Sequence, residues 1–144
     1  MTCLVIGGGP AGSAAARRLA SAGESVVLLD KARFPRSKAC GGILSETAVS
    51  LLDDPLDPSL VESRIRGARL RIGGRWIEAR RPYTVGSVTS RRRLDAWLLD
   101  RAAAMGADVR QGERVLAVER REGSVSVTTD TRSYEARFLI GADG

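Results

Sequence analysis

Three glycines and one acid carry the strongest chemical signal in this sequence. Gly7-Gly8-Gly9-Pro10-Ala11-Gly12 sets glycines in the spacing Gly-x-Gly-x-x-Gly. The apolar run Cys3-Leu4-Val5-Ile6 precedes them and a helical pattern follows at once. That is the context a dinucleotide-binding turn requires. Gly7 permits the tight turn out of a strand, Gly9 lets a pyrophosphate approach the backbone, and Gly12 lets the helix pack close to the sheet. Pro10 and Ala11 lie in the first helical turn, where the missing N–H of proline costs nothing. The unpaired N–H groups and positive dipole end of that helix face the phosphates. A second strand, Ser25–Leu29, ends in Asp30, 18 residues beyond Gly12. This is near the ~20 residues expected for the carboxylate that takes the ribose hydroxyls. An acid there disfavours a 2′-phosphate, so the expected adenosine belongs to FAD or NAD. Without a ligand the same pattern would be a structural strand–turn–helix; the agreement of strand, helix and acid favours the nucleotide.

At 144 residues the chain has the size of one domain. The net charge of +6 is almost all arginine, Lys31 and Lys38 being the lysines. With 4% aromatic residues and no binding motif, the charge reads as a solvated surface rather than a nucleic-acid footprint. Cys3 and Cys40 form neither a disulfide framework nor a metal set. Cys3 reads as a small core hydrophobe. No signal peptide and no run long enough to span a membrane is visible, so a cytoplasmic location is expected. Membrane contact through a lipid substrate stays open, as does the oligomeric state.

The elements that position these residues follow in order. A helix is expected over residues 10–22, with Ala11, Ala15, Leu19 and Ala22 on one face and Gly23 as its stop. Residues 31–44 read as a long loop without a period, of the kind that is functional or disordered. Ser45 caps a short helix whose apolar side is Ala48, Val49, Leu51 and Leu52. Asp53-Asp54-Pro55-Leu56-Asp57-Pro58 ends it. From Ile65 to Arg81 the period changes to two around Gly73-Gly74, a hairpin pattern. A strand over residues 84–89 then leads to Ser90, which opens the best helix, with Leu94, Leu98, Ala102 and Met105 on one face and Gly106 at its end. Asp108-Val109-Arg110 reads as a parallel strand. Val115–Glu119 and Ser124–Thr129 read as a meander, and Ala136–Ile140 as a buried parallel strand before Gly141-Ala142-Asp143-Gly144. The fold class is therefore α/β: a Rossmann-like nucleotide-binding fold with a parallel sheet and a β-meander, plus a partial second β-sheet. Residues 1–53 and 90–144 are expected to form the nucleotide-binding domain, and 54–89 an insertion belonging to a substrate domain.

Four segments together resemble the amino-terminal part of FAD-dependent oxidoreductases of the geranylgeranyl reductase and aromatic-hydroxylase type. They are GGGPAG, the acid in LLDK, Arg91-x-x-Leu94-Asp95 with its helix, and Gly141-Ala142-Asp143-Gly144. The resemblance implies that Asp143, with Gly144, holds the ribityl chain of FAD and that Arg91 lies near the flavin phosphates. Lys38-Ala39-Cys40-Gly41-Gly42 is similar to the segment that runs beside the flavin in geranylgeranyl reductases, although Ile43 stands where those enzymes often carry another glycine. The implied cofactor-binding set is Gly7, Gly9, Pro10, Ala11, Gly12, Asp30, Lys31, Lys38, Cys40, Gly41, Gly42, Arg91, Asp143 and Gly144. No catalytic residue and no metal ligand is nominated. Family members continue for several hundred residues, so the chain reads as their amino-terminal portion.

The implied activity is transfer of a hydride from reduced FAD to an isoprenoid double bond, with NAD(P)H or another reductant as electron donor. An FAD monooxygenase or halogenase acting on an aromatic small molecule, and a non-catalytic FAD-binding module, are the alternatives. Gly9→Val is expected to abolish flavin retention with helical content nearly intact, because a side chain at Gly9 stands where the pyrophosphate approaches. A variant that still purifies yellow would move the phosphate site elsewhere.

Overall fold

The computed structural model describes residues 1–52 and 54–144. Strand β1 (Cys3–Ile6), helix α1 (Pro10–Ser21) and strand β2 (Val26–Asp30) come first. After a loop come β3 (Ile43–Ser45), α2 (Glu46–Ser50), a 3-10 turn (Pro58–Leu60), β4 (Val61–Ile65), β5 (Gly67–Ile72), β6 (Arg75–Arg80) and β7 (Gly86–Thr89). Helix α3 (Arg91–Ala104) follows, then β8 (Asp108–Gln111), β9 (Val115–Arg121), β10 (Ser124–Thr129), β11 (Ser133–Ala136) and β12 (Phe138–Gly141).

Two compact units result: Met1–Arg36 with Asp95–Gly144, and Ser37–Leu94. The sequence put these divisions at 53/54 and 89/90, and residue 53 lies outside the described residues. The first division falls earlier because Ile43, Leu44 and Ser45 pair with Val88, Ser87 and Gly86, so the expected loop ends as a strand of the second unit.

In the first unit, β12, β1, β2 and β8 form a parallel sheet in that order. Alternation along β1 and β2 sends side chains to opposite faces. Cys3, Val5, Val26 and Leu28 pack with Ala16 of α1 and with Leu99 and Ala102 of α3. Leu4, Val27 and Leu29 pack with Val127 and Ala136 of the antiparallel meander β9–β10–β11. Helices thus cover one face of the sheet and the meander covers the other, which is why β1 and β2 read as continuous apolar runs. Helix α1 stops where expected, with Gly23 at φ +83°.

The last strand differs from the sequence expectation. Ala136 closes β11 and Phe138 opens β12, with Arg137 between them. As an edge strand β12 leaves Phe138 57% exposed, where a buried residue was expected. Met105 is likewise exposed, while Asp95 and Leu99 of α3, absent from the expected apolar face, are buried.

The second unit holds the antiparallel sheet β3–β7–β4 and the separate hairpin β5–β6, turning at Gly73-Gly74 as the period-two pattern required. Ser45 caps α2, its Oγ accepting from the Ala48 N–H at 3.0 Å, although none of α2 is buried. Strand β4 and the 3-10 turn were not anticipated.

Gly12 sets how closely α1 lies on β1, since a Cβ at position 12 would collide with the carbonyl oxygen of Gly7. Gly12→Ala raises intrinsic helix propensity. It is nevertheless expected to cost about 1–3 kcal/mol by forcing the helix off the strand, read as a lower urea midpoint. An unchanged or raised midpoint would show that the helix can shift freely.

Candidate nucleotide site

The carboxyl ends of β1, β2, β8 and β12 lie at the same edge of the parallel sheet, the edge where ligands bind in open α/β folds. There the three fingerprint glycines have different physical roles. Gly7 has φ +105°, and a Cβ on it would meet the Ala142 carbonyl. Gly12 faces the Gly7 carbonyl. Both are therefore required by backbone packing alone. Gly9, the N-cap of α1, has φ −74° and ψ −176°, which any residue adopts. Nothing in its own conformation calls for glycine.

The helix that Gly9 opens has no side-chain cap and no acid in its first turn. Its first intrahelical bond here is from the Ser13 N–H to the Gly9 carbonyl at 2.9 Å. The N–H groups of Gly9, Ala11 and Gly12 precede that bond, so the positive end of the dipole is unneutralised by the helix's own residues.

Asp30 ends β2 beside this turn. One carboxylate oxygen accepts from the Gly8 N–H at 2.7 Å and the other from the Ala32 N–H at 2.7 Å. Two backbone donors fix the carboxylate's orientation and leave lone pairs on both oxygens for hydroxyl donors. Gly8, unassigned from sequence, is the link between glycine turn and acid. A Cβ on it would come within 3.2 Å of Phe34 and Leu99 and 3.3 Å of Asp30 Oδ2.

A cavity of about 400 Å³ opens at this edge. Gly7, Asp30, Lys31, Val115, Leu139 and Asp143 are among its lining residues. Its volume lies in the ~300–1,000 Å³ range of small-molecule sites. The structure thus brings Gly7, Asp30, Lys31 and Asp143 to one cavity, with Gly9, Pro10, Ala11 and Gly12 on the adjoining helix start. An uncapped helix N-terminus next to an oriented carboxylate suits a pyrophosphate joined to a ribose. Gly144 follows Asp143 with φ +85°.

Lys38, Cys40, Gly41, Gly42 and Arg91 belong to the second unit. There the Gly42 carbonyl accepts from the Thr89 N–H at 2.8 Å and from Thr89 Oγ1 at 3.2 Å. Gly42 has φ +67°, and a Cβ on it would strike the Thr89 carbonyl. The Gly42 N–H donates to Cys40 Sγ at 3.4 Å. The Cys40–Gly42 segment is therefore tied to the end of β7, two residues before Arg91. Gly41 has open space around it.

Two acids that the sequence reading did not place in the core are buried. Glu113, just beyond β8, is 6% exposed. Its Oε1 accepts from Thr129 Oγ1 and from the Tyr134 hydroxyl, both at 2.8 Å. Its N–H donates to the Asp30 carbonyl at 3.0 Å. Burial pushes its pKa up, but the hydrogen bonds from Thr129, Tyr134 and Thr131 and the charge of Arg132 outweigh this and hold it below the ordinary 4.5. Burial, and then the same bond to Glu113, push the Tyr134 hydroxyl above its usual value. The second acid, Asp95, is fully buried on α3 and pairs with Arg36 Nη2 at 3.1 Å. Arg36 in turn stacks over Phe34 at 4.9 Å. Asp95 had been noted only as part of a motif. The one signal for Glu113 was an acid beyond the end of a parallel strand.

The profile of the family described as FAD binding domain matches residues 1–144. The chain belongs to that family. Menaquinone reductase of Mycolicibacterium smegmatis is 37% identical over 98% of this chain and 37% of its own length. Geranylgeranyl diphosphate reductase of Rhodobacter capsulatus is 36% identical over 97% of this chain and 36% of its own length. The chain thus spans little more than a third of the length of these curated relatives. The crystal structure of a geranylgeranyl bacteriochlorophyll reductase-like protein from Thermoplasma acidophilum superposes with a TM-score of 0.89 at 30% identity. That match covers 99% of this chain and 39% of the other. The architecture is accordingly the Rossmann-like α/β fold of FAD-binding oxidoreductases. Among the described residues, no helix is long and apolar enough to cross a membrane.

Glu113 gives this FAD-binding fold an acid-sensitive joint. A carboxylate with a lowered folded-state pKa contributes stability that is full above its unfolded value and is lost as pH falls through the folded one. The loss therefore sets in below 4.5. Glu113→Gln cannot titrate, so the stability gap between wild type and variant is expected to shrink from pH 7 to about pH 3. Thermal midpoints at the two pH values check this, and a gap independent of pH would mean that Glu113 does not couple folding to acid.

Proposed function

We propose that these residues bind FAD at the carboxyl edge of the parallel sheet and serve, in the whole protein, an oxidoreductase that reduces double bonds of an isoprenoid small molecule. The observation that carries the binding reading is the uncapped start of α1 set against the doubly anchored carboxylate of Asp30. In this reading the N–H groups of Gly9, Ala11 and Gly12 take the pyrophosphate, and Pro10 holds the first turn in helical shape. Asp30 accepts from the ribose hydroxyls, Lys31 flanks it, and the adenosine fills the cavity beside Val115. Asp143, with Gly144, takes the ribityl side. For Lys38, Cys40, Gly41, Gly42 and Arg91 the proposed contact with the cofactor rests on the family resemblance.

When bound, reduced FAD would supply a hydride to one carbon of the double bond and water or a protein acid a proton to the other, the protein's part being to bind and orient the flavin against the substrate. NAD(P)H or another reductant is the proposed electron donor. The isoprenoid reading is supported by the relative named geranylgeranyl diphosphate reductase. Anaerobic conversion of geranylgeranyl diphosphate by the whole protein, followed as a mass gain of one hydrogen pair per bond reduced, tests it. Substrate-dependent oxygen uptake without alkene reduction would replace it with a monooxygenase.

The binding reading has a direct test in Asp30→Ala. Losing hydrogen bonds to a charged acceptor costs about 1–3 kcal/mol, so FAD affinity is expected to fall roughly 5- to 150-fold. Flavin fluorescence titration measures it, and an unchanged affinity would remove Asp30 from the ribose.

A further inference from the structure

The positive charge of the chain is concentrated in one short stretch. Residues 64–81 hold seven arginines and a single acid, Glu78, which equals the whole net charge of +6. The rest of the chain is balanced. Most of this stretch is the β5–β6 hairpin, in which every residue is exposed. Leu70 pairs with Ile77, Ile72 with Arg75, and Arg71 with Trp76. Paired residues share a face and successive pairs alternate. Leu70, Ile77 and Ile72 therefore project from one face, and Trp76 from the other. Ile72 is 63% and Trp76 59% exposed. The Arg69 and Arg71 guanidinium groups lie over the Trp76 ring at 5.1 and 5.7 Å.

The end of the hairpin thus presents large apolar groups on both faces, with arginines interleaved. Neither face alone is a seam for a second sheet, because each carries arginine. The mixture suits a boundary where one end of a side chain is wet and the other is not. Tryptophan settles at the headgroup level of a bilayer. Arginine lays its stem along apolar surface and keeps its head in the polar layer. Clustered basic groups are drawn to anionic lipid. A nucleic acid would satisfy the charge but would leave Leu70, Ile72 and Ile77 in water.

We propose that the β5–β6 hairpin docks by its Gly73-Gly74 end on an anionic lipid surface. Ile72, Trp76, Leu70 and Ile77 enter the boundary between headgroups and acyl chains, and the surrounding arginines pair with lipid phosphates. This surface goes beyond the flavin reading and does not depend on it.

The test uses the 144-residue chain carrying Trp97→Phe, so that Trp76 is the reporter, with vesicles of phosphatidylcholine alone or with about one third phosphatidylglycerol. Expected are co-sedimentation and a blue shift of Trp76 emission with the anionic vesicles, neither with the neutral ones, and release by salt. Arg71→Glu/Arg75→Glu should weaken binding at least about tenfold. Ile72→Ser/Leu70→Ser should weaken it as well, although these exposed sites leave the far-UV circular dichroism unchanged. Equal binding to neutral vesicles overturns the proposal. So does anionic binding that survives Ile72→Ser/Leu70→Ser with Trp76 emission unmoved, or a preference for a single-stranded RNA oligonucleotide over the vesicles. FAD titration separates the two readings: lost vesicle binding with FAD affinity intact overturns only the docking surface.

Discussion

The carbonyl oxygen of Gly7 lies so close beneath α1 that position 12 has no room for a Cβ. Most of the first unit depends on that approach. It brings the start of α1 down onto the end of β1, and Gly7 itself abuts the Ala142 carbonyl at the end of β12. The Ala142 N–H returns a bond to the Ile6 carbonyl at 2.8 Å. Three segments from opposite ends of the chain therefore meet through backbone alone. Backbone contacts of this kind do not adapt by changing rotamer, so the N–H groups at the head of α1 are fixed in space before any ligand arrives. Gly8 then hands its N–H to Asp30, and the acid inherits the same rigidity.

A second set of ties holds the other side of the cavity. The end of β8 and the residues beyond it bond to the end of β2 and the loop beyond it: the Gly112 N–H donates to the Ala32 carbonyl, the Glu113 N–H to the Asp30 carbonyl, and the Phe34 N–H to Gln111 Oε1. The Glu113 carboxylate then joins this edge to the meander through Thr129 and Tyr134. A buried carboxylate with several donors is costly to disturb, since removing one partner leaves the others unsatisfied. The floor of the cavity and the layer behind the sheet are in this way one hydrogen-bonded assembly.

Local patterns made much of this legible. The apolar runs of β1 and β2, the glycine turn, the stop at Gly23 and the Gly73-Gly74 hairpin each follow from a few adjacent residues. Asp30 could be nominated because it closes a strand at a fixed interval from the glycines. What stayed hidden depends on partners far away in sequence. Glu113 is held by Thr129 of β10 and Tyr134 of β11, and Asp95 pairs with Arg36, 59 residues away in sequence. Phe138 and Ala136 were misplaced for a related reason. Arg137 is the one polar residue from Ala136 to Ile140, and only pairing with β10 and β1 shows that one strand ends before it and the next begins after it. The separate roles read for the glycines from their spacing also have a backbone counterpart: Gly7 and Gly12 are explained by close backbone packing, whereas the φ and ψ of Gly9 are ones any residue adopts.

The strand order β12–β1–β2–β8 has a consequence for synthesis on the ribosome. The inner pair, β1 and β2, emerges first, and both flanking strands emerge late. Cys3 waits for Phe138 and Val27 for Asp108. During translation at roughly 5–20 residues per second, the most apolar strands spend seconds with both outer edges open. Closing those edges carries the entropy of loops that enclose most of the chain. The nascent β1–α1–β2 segment thus presents two unpaired apolar strand edges until the later strands emerge. The small residues of α1 give it a modest cover over only one face in the meantime.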